Sequence, residues 1–161
     1  MSLKPVVAAA ILDDSQPPRL LAARRSYPPA LRGLYELPGG KIEPGEPAET
    51  ALLREIREEL GTEIIIGQPL PAPRSQAARP QAPLSKAPQT RSASAPAFSP
   101  WIVNEGRPMW VWLAMLAPDS PAPKPGSSHE ELTWAELSEA LNLPWIPADL
   151  PIVRAVIEAT T

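Results

Sequence analysis

The chain has 161 residues, 43% of them hydrophobic and 20% charged, enough for one core, and its 24 prolines are about three times the usual share. A formal charge of −3 gives no broad electrostatic footprint for polymeric nucleic acid or an anionic membrane, while leaving small nucleotides open as ligands. With no cysteine and one histidine, His129, disulfides, thiolate metal centres and multi-histidine zinc sites are excluded, so any metal here is a hard cation held by oxygen.

Residues 5–12 and 19–23 read as two strands joined by an Asp-Asp-Ser-Gln-Pro-Pro turn. The first apolar run is far short of a membrane span and leads into Asp13 and Asp14 rather than a small-residue cleavage site, which points to the cytoplasm. A loop with proline and glycine follows at 28–33. A helix is expected over 47–60, with Glu46 at its cap, Pro47 in its first turn and Gly61 at its end. On it Ala48, Leu52, Ile56 and Leu60 recur every four residues, with Ala51 and Leu53 beside them, which makes a buried stripe.

Residues 64–66 make a short strand. Residues 69–100 then hold 8 prolines, 8 alanines, 5 serines and 4 basic residues with no acidic one. Such a segment has too few large apolar side chains to offset the entropy of ordering, and is expected to be a polyproline-leaning surface loop inserted in the domain. Taking its +4 from −3 leaves −7 for the rest of the chain. Residues 101–103 and 109–116 flank Asn-Glu-Gly-Arg as a hairpin, and the second strand, apolar on both faces, reads as central. After a proline- and serine-rich loop at 118–128 come an expected strand at 131–134, a helix at 135–141 and a last helix, capped by Asp149, to about residue 159. The order predicts one domain over residues 1–161 of the α+β class, an α/β/α sandwich with a mixed β-sheet.

Three glutamates, Glu55, Glu58 and Glu59, share roughly a third of the helix circumference, where like charges four apart weaken a helix. Repelling carboxylates become favourable when a divalent cation sits among them. Their context is specific. Gly40, five residues, Glu46, seven residues and then Arg54-Glu55-Ile56-Arg57-Glu58-Glu59-Leu60-Gly61 form the Nudix box, with Thr62 where an aliphatic residue is usual. With Arg24-Arg25, the Leu34-to-Lys41 lead-in containing Pro38-Gly39-Gly40, Trp110-Val111-Trp112 and Pro147-Ala148-Asp149, the chain resembles the MutT-like branch of the Nudix hydrolases everywhere but at 69–100.

The resemblance implies a Mg²⁺-dependent enzyme, with Mn²⁺ as a substitute, that splits a nucleoside triphosphate into monophosphate and pyrophosphate. An 8-oxo-dGTP or (d)CTP type of substrate and a role in nucleotide-pool sanitation go with it. It makes Glu58, Glu59 and the Gly39 carbonyl metal ligands, and Glu55 either a ligand or the base that activates water. Arg54, paired with Glu46, would orient the glutamates. Arg25 and Lys41 would bind phosphates, Tyr35 would stack on the base, and Asp149 would read the base edge as well as cap its helix. MutT-like proteins often place a further acidic ligand six residues before the tryptophan matching Trp134. Ser128 stands there, leaving Glu130 or Glu131 as substitutes or as plain strand-end charges. His129 reads as a solvated loop residue, and Trp110 and Trp112 as core or cleft wall. The expected partner is a nucleotide, with no polymeric nucleic acid or membrane, in a monomer or homodimer. Two other readings fit the same residues. One is hydrolysis of another phosphoanhydride such as ADP-ribose or a dinucleotide polyphosphate; the other is a weakly catalytic module that binds a nucleotide or, through the basic insertion, a protein partner.

Overall fold

The computed structural model describes residues 4–73 and 95–161, so most of the low-complexity insertion expected at 69–100 lies outside the described residues. Among the described residues eight strands form one mixed sheet with the path β3-β2-β1-β7-β5. The strands on that path are β1 (Val6–Leu12), β2 (Arg19–Arg25), β3 (Tyr35–Glu36), β5 (Ile64–Pro69) and β7 (Arg107–Leu116). Off it, β4 (Gly39–Lys41) pairs with β1, β6 (Trp101–Val103) with β7, and β8 (His129–Glu136) with β2. Only β1 and β7 run parallel, in register from Val6 opposite Met109 to Leu12 opposite Met115. They are the centre of the sheet, which is why both read as nearly continuous apolar runs.

Side-chain alternation along these strands makes two cores. Val7, Ala9 and Ile11 pack with Leu52, Ile56 and Leu60 of helix α1 (Ala48–Leu60), while Ala8 and Ala10 pack with Ile152, Val153 and Val156 of helix α2 (Leu150–Thr160). The sheet is thus sandwiched between two helices, as expected. The alanines of β1 let the helices approach closely, and the bulk is supplied by the helices and by Trp112 and Val111 of β7. The stripe read on α1 is the buried face, with Leu53 half-buried at its margin. Gly61 ends the helix at φ 66°, with its N–H on the Arg57 carbonyl.

Several boundaries differ from the sequence reading. Glu46 does not cap α1. Pro47 is the capping position and has no side-chain bond, because the Glu46 carboxylate is taken by Arg54. The residues read as a lead-in loop form β3 and β4. The helix expected at 135–141 is instead the end of β8 followed by a single 3₁₀ turn at Ala140–Asn142, whose Ala140 is buried. Pairing with β2 extends β8 back to His129, beyond what its polar composition suggests. The margins of the insertion are part of the fold. Leu70 and Ala72 are buried, Trp101 Nε1 donates to the Leu70 carbonyl, and Trp110 Nε1 to that of Phe98, whose ring meets Trp112 edge-on at 5.2 Å.

Between β6 and β7, Asn104, Glu105 and Gly106 all take positive φ. At β4, Gly39 sits opposite Ala8 and Gly40 opposite Val7. A Cβ on Gly39 would collide with the Val7 backbone carbonyl, which no side-chain rotation relieves. Gly39→Ala is therefore expected to destabilise the fold by about 1–3 kcal/mol, the usual range for overpacking. Chemical denaturation would read this as a lower midpoint at constant slope; an unchanged midpoint would mean that β4 can move off β1 freely.

Candidate active site

Beside α1 the sheet opens into a cleft of about 490 Å³, walled by the start of β1, the end of β2, the Glu36–Lys41 stretch, α1, the β6–β7 hairpin and the segment before α2. From the box, Gly39, Gly40, Lys41, Glu55 and Glu59 line it. Gly40 leaves room for the Glu55 carboxylate: a Cβ there would meet it and turn that side chain aside.

Arg54 organises the carboxylates. Its Nε and Nη2 donate to the two oxygens of Glu46 at 2.8 and 2.9 Å, Nη2 also reaches the Lys41 carbonyl at 3.0 Å, and Nη1 reaches Glu55 at 3.2 Å and Glu58 at 3.3 Å. Bonding to Arg54, with the Glu43 N–H assisting, pulls the Glu46 carboxyl down to about 2. Burial pushes Glu55 up from the ordinary carboxylate range, opposed by Arg54. Burial also pushes Glu59 up to about 7, with Glu36 and Glu55 adding to the rise and His129 and Arg25 opposing it. One Glu59 oxygen, Oε1, is buried without a hydrogen-bond partner.

Glu58 does not line the cleft; it is the most exposed of the three and is turned toward Arg54. Among the described residues no three His, Asp or Glu side chains stand together as a ready metal cage. The donor set is nonetheless of the right kind for a hard divalent cation: carboxylate and carbonyl oxygens, one of them a buried orphan.

The cleft wall opposite the box differs from the sequence reading. Arg25, which lines the cleft as expected of a phosphate donor, has two of its five N–H groups engaged: Nε donates to the Tyr27 carbonyl at 2.9 Å and Nη1 to Glu36 Oε2 at 2.9 Å. His129 is not solvated: its side chain is fully buried, Nε2 lies 2.7 Å from the same Glu36 oxygen, and Nδ1 has no partner. Facing a carboxylate acceptor, Nε2 must carry the proton. Ser128 lines the cleft, but neither Glu130 nor Glu131 does. Both are held by Arg24, at 2.9 and 3.0 Å, because Arg24 and Arg25 point to opposite faces of β2. The reading of either as a substitute acid for Ser128 is corrected accordingly.

Asp149 lines the cleft and is 4% exposed. Its carboxylate does not cap α2; Oδ2 accepts the Leu37 N–H at 2.8 Å instead. Burial pushes this carboxyl up to about 7, against that N–H and with the help of Glu36. Tyr35, expected to stack on a base, is buried against Trp145 at 6.2 Å and does not line the cleft, so that role is withdrawn. Trp112 is core, and Trp110 is half-buried against Phe98. Sequence reasoning missed Tyr27, Glu36 and Arg107 as cleft residues. Glu36 stood inside the quoted lead-in, and Arg107 follows the hairpin turn; only strand register brings either to the cleft.

The NUDIX domain profile matches residues 2–156. The chain belongs to the Nudix family. The CTP pyrophosphohydrolase of Escherichia coli is 32% identical over 155 residues, 96% of this chain and 92% of that protein. A putative 8-oxo-dGTP diphosphatase of Mycobacterium tuberculosis is 49% identical over 59 residues, 37% of this chain and 40% of that one. Among solved structures, the Escherichia coli ORF135 protein superposes with a TM-score of 0.65 at 29% identity, covering 98% of this chain and 91% of that one. This Nudix protein is accordingly a hydrolase of phosphoanhydride bonds in nucleotide substrates, of a family that generally uses divalent metal ions. Among its described residues no helix is long and apolar enough to cross a membrane.

Asp149 generates a pH prediction for stability. Its folded pKa of about 7 lies above the ordinary 3.8, so its favourable contribution is complete below 3.8 and lost as pH rises through about 7. Asparagine cannot ionise and keeps an acceptor for Leu37. The stability of Asp149→Asn relative to the parent should rise between those two pKa values and level off above them. Thermal denaturation at intervals of pH checks this, and a difference independent of pH would refute the assignment.

Proposed function

We propose that this Nudix hydrolase is a Mg²⁺-dependent nucleoside triphosphate pyrophosphohydrolase that releases a nucleoside monophosphate and pyrophosphate, with an 8-oxo-dGTP or (d)CTP type of substrate, serving nucleotide-pool sanitation in the cytoplasm. The observation that supports it is one cleft holding both the carboxylates of α1, with the orphan oxygen of Glu59, and the buried carboxyl of Asp149. The first can take a cation on a phosphate chain; the second can meet the polar edge of a base. The Escherichia coli relative, alike over nearly the whole chain, carries the name CTP pyrophosphohydrolase.

In this reading Glu58, Glu59 and the Gly39 carbonyl hold the cation, with Glu55 as a further ligand or as the base beside it. When bound, the cation neutralises the diphosphate and lowers the pKa of a water. The chain's own groups do the rest. Arg54, fixed by Glu46, holds Glu55 and Glu58 by one nitrogen and so limits their repulsion. Glu55, raised by burial, is suited to accept a proton from an attacking water. Gly39 and Gly40 keep the backbone low enough for a phosphate chain to lie over β4. Lys41, at the rim, supplies a charged donor for it. Asp149, its carboxyl pushed up to about 7 by burial, is partly in the acid form at neutral pH, and that form has both an O–H to donate and an oxygen to accept, a match to a base edge with a neighbouring acceptor and amino group.

Purified protein incubated with Mg²⁺ and 8-oxo-dGTP, dGTP, CTP, dCTP or ADP-ribose should release monophosphate and pyrophosphate from one of the triphosphates. Glu58→Gln and Glu59→Gln are expected to lower that turnover by on the order of a hundredfold or more with melting unchanged or raised, since they remove charge from a metal site and not packing. Full turnover in both variants would sink the site assignment, and cleavage of ADP-ribose alone, to AMP and ribose 5-phosphate, would sink the substrate class.

A further inference from the structure

We propose that Tyr27 is the platform on which the nucleobase stacks, a specificity-determining contact that rests on the nucleotide reading above and extends it. Among the described residues Tyr27 is the one aromatic side chain lining the cleft, and it is 53% exposed. The other candidates are occupied: Tyr35, Trp101, Trp112 and Trp145 are buried, and Trp110 is held by Phe98. The other apolar side chains of the cleft, among them Leu37, Val103, Met109 and Ile146, are not aromatic, so Tyr27 is the lining side chain that offers a π-face to a base.

The ring is held in place before any substrate arrives. Arg25, the last residue of β2, donates its N–H to the Leu34 carbonyl. Next to it, Ser26 donates its N–H to the Ser128 carbonyl at 3.0 Å and its hydroxyl to that of Ser127 at 3.1 Å. Beyond the ring, the N–H groups of Leu31 and Arg32 close a turn on the Pro28 carbonyl. The Arg25 guanidinium lies 5.4 Å from the ring centroid and is itself fixed by the Tyr27 carbonyl and Glu36, which meets buried His129. A ring already ordered by its neighbours loses little entropy when a base settles on it. Arg25 and His129 thus act as positioning residues for Tyr27.

Stacking tolerates any base, because every base has a π-face. Tyr27 therefore sets the requirement for a base, and Asp149 in the same cleft sets which one. The ring accounts for how a cleft rich in carboxylates distinguishes a nucleotide from a bare polyphosphate.

The test is calorimetric binding, with Mg²⁺ present, of CMP, 8-oxo-dGMP and inorganic pyrophosphate to the full chain and to Tyr27→Phe and Tyr27→Ala. Tyr27→Ala should weaken the preferred monophosphate roughly tenfold, within the usual contribution of base–aromatic stacking, leave pyrophosphate unchanged, and be rescued by Tyr27→Phe. Equal monophosphate binding in Tyr27→Ala would overturn the proposal, as would a parallel loss of pyrophosphate or failure of the phenylalanine to rescue, since both mark a structural role. Absence of monophosphate binding in the parent chain would overturn it too. Triphosphate turnover, followed separately, reports on the enzymatic reading: its absence with monophosphate binding intact would reject the pyrophosphohydrolase and not the platform.

Discussion

The bidentate pair between Arg54 and Glu46 allows three carboxylates to share one arc of α1. Without it, Glu55, Glu58 and Glu59 repel within a single turn, and the first turn of the helix has no side-chain cap to compensate. An exposed ion pair contributes about 0–1 kcal/mol, but this one is partly buried, doubly bonded and tied to the Lys41 carbonyl. Because Lys41 belongs to β4, the same guanidinium fixes the helix to the strand that carries Gly39 and Gly40. One residue therefore sets both the spacing of the acids and their distance from the backbone they face. The box letters Gly40, Glu46 and Arg54 form one mechanical unit.

Burial treats two carboxyls alike and leaves them chemically different. Glu59 and Asp149 are both raised to about 7 by removal from water. Asp149 has a backbone N–H on one oxygen and can stay as a neutral, hydrogen-bonded group. Glu59 has a buried oxygen with no partner, and such an atom is costly until a proton or a cation reaches it. The difference arises from position. Asp149 precedes α2, where the chain returns past Leu37 with a free N–H, while Glu59 projects from the side of a helix whose own amides are spent.

The sandwich was legible because its signals are periodic: the four-residue stripe of α1, the αL glycine after it, and the two-faced apolar strand β7. The box was legible because its spacing is rigid. What failed depends on neighbours distant in sequence. Glu46 and Asp149 look like caps locally, and each is claimed by a group from elsewhere, Arg54 eight residues on and Leu37 across the cleft. His129 looked solvated because its neighbours are polar, yet pairing with Arg25 on β2 carries it inward to Glu36. Tyr35, paired with Arg24 on β2, is turned into the core, while Tyr27 lies in the loop beyond the end of β2 and stays at the rim. The alternation Arg24-Arg25 on β2 explains the acids as well: one face takes Glu130 and Glu131, the other takes Glu36.

The wall where Ser128 stands is a closed network. Glu36 Oε2 receives both Arg25 and His129, so two donors meet on one oxygen. Outside the basic segment at 69–100 the chain carries −3 less +4, or −7, and the cleft adds to this locally with Glu36, Glu55 and Glu59. Of its three cations, Arg25 is partly engaged and Arg107 donates to the Lys4 carbonyl at 2.7 Å, which leaves Lys41 as the least encumbered. A bare polyphosphate laid against α1 meets the carboxylates of Glu55 and Glu59 with no cation between them. A phosphate chain that arrives with its cation is closer to neutral, and its charge is completed by the orphan oxygen rather than opposed by it. The electrostatics of the cleft thus favour the cation–phosphate complex over either component alone, and the acidic crowding on α1 becomes a selectivity device as well as a ligand set.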